Sequence, residues 1–221
     1  MIEASRIDHA GHAHDPAAHV HDVLQYNEVM GFVRKWVDRH PDTLMLSAAD
    51  HETGGLTLNG YNPVPIKGAT NSTEVLAPLF ESYSGDDDAA FLVDTILPAY
   101  GITDATESEI EELVALKGKS AFSSRLGQLL SDRAGVHWST GGHTAVDIVL
   151  HGYGKGHRGA ELKKDMAGNW DNTQLPRYIE KALHLDMRRV TEKLRREGDD
   201  WVPGLTGLVE RGEEEFHVHH S

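Results

Sequence analysis

From Val20 onward the apolar residues Val23, Leu24, Met30, Val33 and Val37 recur at helical spacing, and Asp15-Pro16 supplies an N-cap and a first helical position. The pattern predicts a helix running to about Arg39. His19 and His21, near its start, are two apart and cannot share a face, so they read as solvated or structural. Pro41-Asp42 turns the chain, and Thr43-Leu44-Met45-Leu46-Ser47-Ala48 is short and apolar enough for a buried central strand. Leu56-Thr57-Leu58 predicts a short strand, and the Gly- and Pro-bearing run from Asn59 to Asn71 a surface loop. The pattern then changes to polar, acidic helices, with starts at Ser72, at Asp86-Asp87-Asp88 and at Thr106. The triple Asp lacks the spacing of an EF-hand calcium loop and reads as an acidic helix start. Alternation returns in Ala145–Tyr153, a second, half-covered strand ended by Gly154-Lys155-Gly156, which lacks phosphate-loop spacing. Asn172 is placed to cap a helix through Tyr178, Ile179, Ala182 and Leu183. Met187–Arg196 is basic and amphipathic, and Glu213–His220 is a charged tail whose histidines can bind metal adventitiously.

Composition narrows the class. With 39% hydrophobic and 25% charged residues, the 221-residue chain can support a real core. A net charge of -14 argues against a nucleic-acid partner, because phosphate backbones need a basic surface. The absence of cysteine excludes disulfides and thiolate metal sites. No apolar run approaches the roughly 18 residues of a membrane span.

The fifteen histidines direct attention to metal chemistry. Glu3-Ala4-Ser5-Arg6-Ile7-Asp8-His9-Ala10-Gly11-His12 sets carboxylates and imidazoles among small residues, a run able to wrap a metal ion. Asp supplies a hard oxygen and His a borderline nitrogen, a mixture that suits zinc. Asp50-His51 falls just beyond the carboxyl end of the predicted strand, where α/β sheets bind ligands. His143 follows Gly141-Gly142, which permits close approach of backbone to a ligand. A lone histidine is more often a surface or capping residue, but three such pieces together favour a site. A functional loop at residue 3 has no preceding strand to hold it, so the chain is expected to be a portion of something longer.

Glu-x4-Asp-x3-His, followed by Ala-Asp-His-Glu-Thr-Gly-Gly at 49–55 and Gly-Gly-His-Thr at 141–144, resembles the second half of an alkaline phosphatase, with Ser5–His12 most similar to the eukaryotic, fungal-like branch. The likeness runs from residue 2 to about Leu183. It implies an α/β three-layer sandwich, a mostly parallel sheet with helices on both faces. Residues 1–221 would be the C-terminal portion of one such domain, with a helical insertion at about 60–135 and a charged tail at about 205–221. It implies Asp8, His12 and His143 as ligands of a first zinc, Asp50 and His51 as ligands of a second, and Glu3 as a ligand of magnesium. His9 would lie beside the phosphate without binding zinc. Substrates would be phosphate monoesters, the intermediate a phosphoserine, and the full-length parent a homodimer, exported or lumenal.

The departures matter equally. The Asp-Ser-Ala nucleophile segment of that family, its bridging Asp, its Ser or Thr on magnesium and its phosphate-forking Arg have no counterpart in this sequence. Ser47 precedes the ligands within a strand and is no substitute. The chain alone is therefore expected to be inactive, with its missing half leaving a sheet edge exposed. A related phosphodiesterase or sulfatase, or a non-catalytic zinc-binding fragment, are the competing readings. Glu3, five residues before Asp8, and the Thr-Gly-Gly after His51 and Glu52 favour the monoesterase.

Overall fold

Asp15 fixes the first bend of the chain. Its side chain accepts from the backbone N–H groups of Ala17 and Ala18, capping a helix whose first residue, Pro16, has no N–H to leave unpaired. In the computed structural model, which describes residues 1–197, the chain forms two units, Met1–Asp165 and Met166–Ser221.

In the first unit, α1 (Arg6–His12) leads into α2 (Pro16–Arg39), which ends where the pattern predicted. The run expected to wrap as a loop is a helix instead, so Asp8 and His12, four apart, stand on one face. There follow β1 (Leu44–Ala48), β2 (Glu52–Thr53) and β3 (Thr57–Leu58). The next stretch is helical: α3 (Val64–Lys67), α4 (Thr73–Ser82), α5 (Asp88–Phe91), a π turn over Leu92–Ile96, α6 (Leu97–Ala99), α7 (Glu107–Ala115) and α8 (Ala121–Ala134). Then come β4 (Val136–His137), β5 (His143–Thr144), β6 (Leu150–Gly154) and α9 (Gly156–Met166).

The helix starts follow their caps. Ser72 accepts from the N–H of Val75, Asp87 from that of Ala90, and Thr106 forms a reciprocal capping box with Glu109. The π turn stands just before Pro98, which cannot supply the N–H that a regular helix would require there. These helices enclose the main core: Leu76, Phe80, Leu92, Ile96, Tyr100, Ile102, Leu113, Phe122, Leu126 and Leu130 are buried together. Each such aliphatic or Phe side chain contributes roughly 1.5–3 kcal/mol relative to exposure.

The strands depart from expectation in three ways. Among the described residues they form three two-stranded ladders, β1·β6, β2·β5 and β3·β4, all antiparallel rather than mostly parallel. A parallel neighbour requires a crossover that brings the chain back to the same end, whereas the long connection from β1 to β6 returns it in the opposite direction. Strand β1 is only half-buried, because one side of its two-stranded ladder has no further strand among the described residues. The second strand begins at Leu150 rather than Ala145: β1 is five residues long and its five residues are all matched by Leu150–Gly154 of β6. Helix α9 was not anticipated, since Gly154-Lys155-Gly156 marks its start as well as the end of a strand; its Leu162 packs against Gly152 of β6.

The second unit contributes α10 (Gln174–Leu183) and α11 (Met187–Glu197). Asn172 does not cap α10. Thr173 stands at that position without a side-chain cap, while Asp171 accepts from the N–H and hydroxyl of Thr173. Ile179, Leu183, Val190 and Leu194 are exposed on these helices. The tail Glu213–His220 lies outside the described residues. No helix among the described residues is long and apolar enough to cross a membrane.

Candidate metal centre

Three separated pieces of chain meet at one place. Asp8 comes from α1, His51 from the turn between β1 and β2, and His143 from β5, and one ligand atom of each lies within 4.8 Å of the others. His12 joins them: its Nε2 is 3.3 Å from Asp8 Oδ1 and 3.0 Å from His143 Nε2. From Asp8 Oδ1 to His143 Nε2 is 3.6 Å and to His51 Nδ1 is 4.0 Å, and the His51 and His143 rings stack at 3.5 Å.

Local structure explains the convergence. The ladder β2·β5 sets Thr53 opposite His143 and Glu52 opposite Thr144, which carries His143 alongside His51. Gly11 lets α1 approach β2: a Cβ there would meet Thr53 Cγ2 at 3.1 Å. Gly54, at φ 85°, turns the chain after β2 in a conformation that glycine adopts freely, and its N–H donates to Gly142. The loop before His143 is fastened to the end of α1 by two imidazoles. His12 Nδ1 donates to the Gly141 carbonyl at 2.7 Å, and His14 Nε2 to that of Thr140 at 2.9 Å. Since a carbonyl can only accept, the proton of neutral His12 sits on Nδ1 and the Nε2 lone pair faces Asp8 and His143.

Electrostatics favour an ionised Asp8. Burial alone would raise its carboxyl, but the hydroxyl of Thr53 and the positive charge that His12, His51 and His143 carry when protonated outweigh it and hold the group below the usual range. The same balance holds at Glu52, where burial is outweighed by hydrogen bonds from Thr144 and from the N–H groups of Leu56 and Gly55.

The donor set suits a metal ion. In tetrahedral zinc sites, bonds of about 2.0–2.1 Å put neighbouring ligand atoms roughly 3.3 Å apart. The separations of 3.0, 3.3 and 3.6 Å among Asp8, His12 and His143 bracket that value. Asp50, largely exposed, has Oδ2 3.3 Å from His51 Nε2. The other two sequence candidates stand apart from this cluster. Glu3 is exposed and lines a groove of about 480 Å³ against α2 and β1. His9 accepts from Arg6 and lines a separate cavity of about 260 Å³ that also includes His21, Asp22 and Thr73. Pattern reading missed Glu52, Thr53 and His14. The one available signal was alternation in β2, which places Thr53 on the same side as His51.

Fold and site together define an α/β protein in which histidine and carboxylate side chains from distant pieces of chain meet in a group able to hold a metal ion. The alkaline phosphatase family model matches residues 1–185, and the chain belongs to that family. It is 32% identical to an alkaline phosphatase of Schizosaccharomyces pombe, with 95% of this chain and 40% of that protein covered. It is likewise 32% identical to the repressible alkaline phosphatase of Saccharomyces cerevisiae, covering 88% of this chain and 38% of that protein. The structure superposes on the cold-active alkaline phosphatase of the psychrophile Shewanella sp. with a TM-score of 0.70 and 30% identity, over 82% of this chain and 44% of that one. The alkaline-phosphatase-like fold class is thus established, with the strand directions noted above as its local form. The chain spans about two fifths of the curated relatives it matches.

Proposed function

We propose that this chain is the metal-binding portion of a phosphomonoester hydrolase that uses two zinc ions and one magnesium ion with a seryl-phosphate intermediate, and that the nucleophile is not among its 221 residues. The observation that carries the reading is the meeting of Asp8, His12, His51 and His143, drawn from three pieces of chain, at metal-ligand separations. Asp8, His12 and His143 would hold the first zinc, Asp50 and His51 the second, and Glu3 the magnesium. When bound, such ions supply positive charge to phosphoryl oxygens and to a leaving alkoxide. The residues of this chain do the rest of the local work: Asp8 stays ionised and His12 keeps its proton on Nδ1 through Gly141, while His9, set apart from the cluster here, would lie beside the phosphate without binding zinc. Recognition directed at the phosphoryl group leaves the choice of alcohol loose, so phosphate monoesters in general are the substrate class. A homodimer is the expected state of the longer parent.

Turnover of an aryl phosphate at alkaline pH tests this. The chain alone, with zinc and magnesium, should give no more than the metal blank. Joined to the upstream portion of the Schizosaccharomyces pombe relative, it should give zinc-dependent turnover that His143→Ala abolishes. Robust zinc-dependent turnover by the chain alone would place the nucleophile within it. A second reading, a non-catalytic zinc-binding protein, draws support from the intact ligand group in a chain without an Asp-Ser-Ala segment. Zinc binding by the chain together with an inactive fusion would favour it.

A further inference from the structure

We infer that Thr53 is a positioning residue of the metal centre, a role that rests on the zinc-binding reading above. Its hydroxyl donates to Asp8 Oδ1 at 2.5 Å, and that oxygen is the one nearest the imidazoles of His12, His51 and His143. The same hydroxyl lies 3.4 Å from His51 Nδ1. It therefore stands between ligands supplied by two separate pieces of chain, and it faces His143 across the β2·β5 ladder.

A threonine hydroxyl has one proton to give. Directed to Asp8, it fixes the plane of the carboxylate and leaves the remaining lone pairs of Oδ1 toward the imidazoles. The backbone around Thr53 is built to hold this aim. Glu52 accepts from the N–H groups of Gly55 and Leu56, each at 3.0 Å, and from the hydroxyl of Thr144, which locks both the turn and the register of β2 against β5. The absence of a side chain at Gly11 brings α1 within contact of the Thr53 methyl. A shift of β2 by one residue would turn Thr53 to the opposite side and remove the hydroxyl from Asp8.

The test uses the full chain with His217, His219 and His220 replaced by alanine, so that the tail cannot contribute ligands. Zinc affinity is measured by competition with a chromophoric chelator, and the visible absorption of bound cobalt(II) reports coordination geometry. Thr53→Val, which keeps the branched shape and removes the hydroxyl, is expected to weaken zinc about 10–100-fold and to shift the cobalt spectrum. Thr53→Ser, which keeps the hydroxyl, should restore both readouts toward the parent. Parental affinity and spectrum in Thr53→Val would overturn the inference. If Thr53→Val does not fold, Thr53→Ser and Thr53→Ala decide: a serine variant as weak as the alanine variant shows that the methyl, not the hydroxyl, matters, and overturns it too. Failure of the tail-substituted parent to take up zinc at all would instead remove the underlying reading, and this inference with it.

Discussion

The helices between residues 64 and 134 and the ladders that carry the candidate ligands are held together by different forces. In the helical stretch Phe80, Leu92, Ile96, Leu113, Leu126 and Leu130 are fully buried, and apolar burial does most of the work. Around the ligands, β2 and β5 are two residues long and half-buried or exposed, and their positions are set by polar fastenings: Glu52 on the turn, Thr53 on Asp8, His12 and His14 on the loop before His143. One region is held chiefly by apolar burial, the other chiefly by polar contacts. The joint between them is Asp15, buried, whose carboxylate caps α2 while accepting from Tyr100 at 2.8 Å and from the N–H of Thr73 at 2.7 Å.

The largest effect should come from the core. Phe80→Ala is expected to cost roughly 3–5 kcal/mol in urea unfolding, whereas Phe32→Ala, on the exposed part of α2, should stay within about 0.5 kcal/mol. Equal costs would show that apolar burial is not what holds the helical stretch. Next comes the joint. Asp15→Ala leaves buried donors at Thr73 and Tyr100 and an uncapped helix, and should cost about 3 kcal/mol. Asp15→Asn, which retains one acceptor oxygen of the two, should cost less; the order is read from unfolding midpoints.

A smaller effect is electrostatic and lies wholly in the helical region. The Arg133 guanidinium, with burial opposing it and Thr106 assisting, holds the Glu109 carboxyl down to about 2 from the usual 4.5. Because the folded value is the lower one, the stabilisation is fully present above about pH 4.5 and is lost as the pH falls toward 2. With both side chains partly exposed, it should amount to on the order of 2 kcal/mol after solvent screening. Melting in chelator from pH 6 down to about 2.5 should show the loss, and Glu109→Gln should flatten it.

Much of this organisation could be read from residues alone, and the limits are physical. The caps at Asp15, Ser72 and Thr106 and the period of α2 are local signals, and each appears where expected. That Asp8, His51 and His143 belong together was suggested by residue type and setting, but their division into ligand sets came only through the family resemblance, since no local rule links residues so far apart. Strand direction was not legible, because pairing depends on where a distant segment returns. The helical state of Arg6–His12 was hidden by its small residues and lack of a capping side chain: Ser5 stands at the N-cap without capping. Thr53 went unnoticed because its importance lies in one hydrogen bond across 45 positions of chain.

The central claim is that one metal ion is shared by Asp8 and His12 of α1 and His143 of β5. Zinc K-edge X-ray absorption on the tail-substituted chain, loaded with one equivalent of zinc, tests it most directly. The account predicts a shell of nitrogen and oxygen near 2.0 Å with the outer scattering of several imidazoles, diminished in parallel by Asp8→Asn, His12→Ala and His143→Ala. A water-rich shell without imidazole scattering, or a spectrum indifferent to all three substitutions, would contradict it.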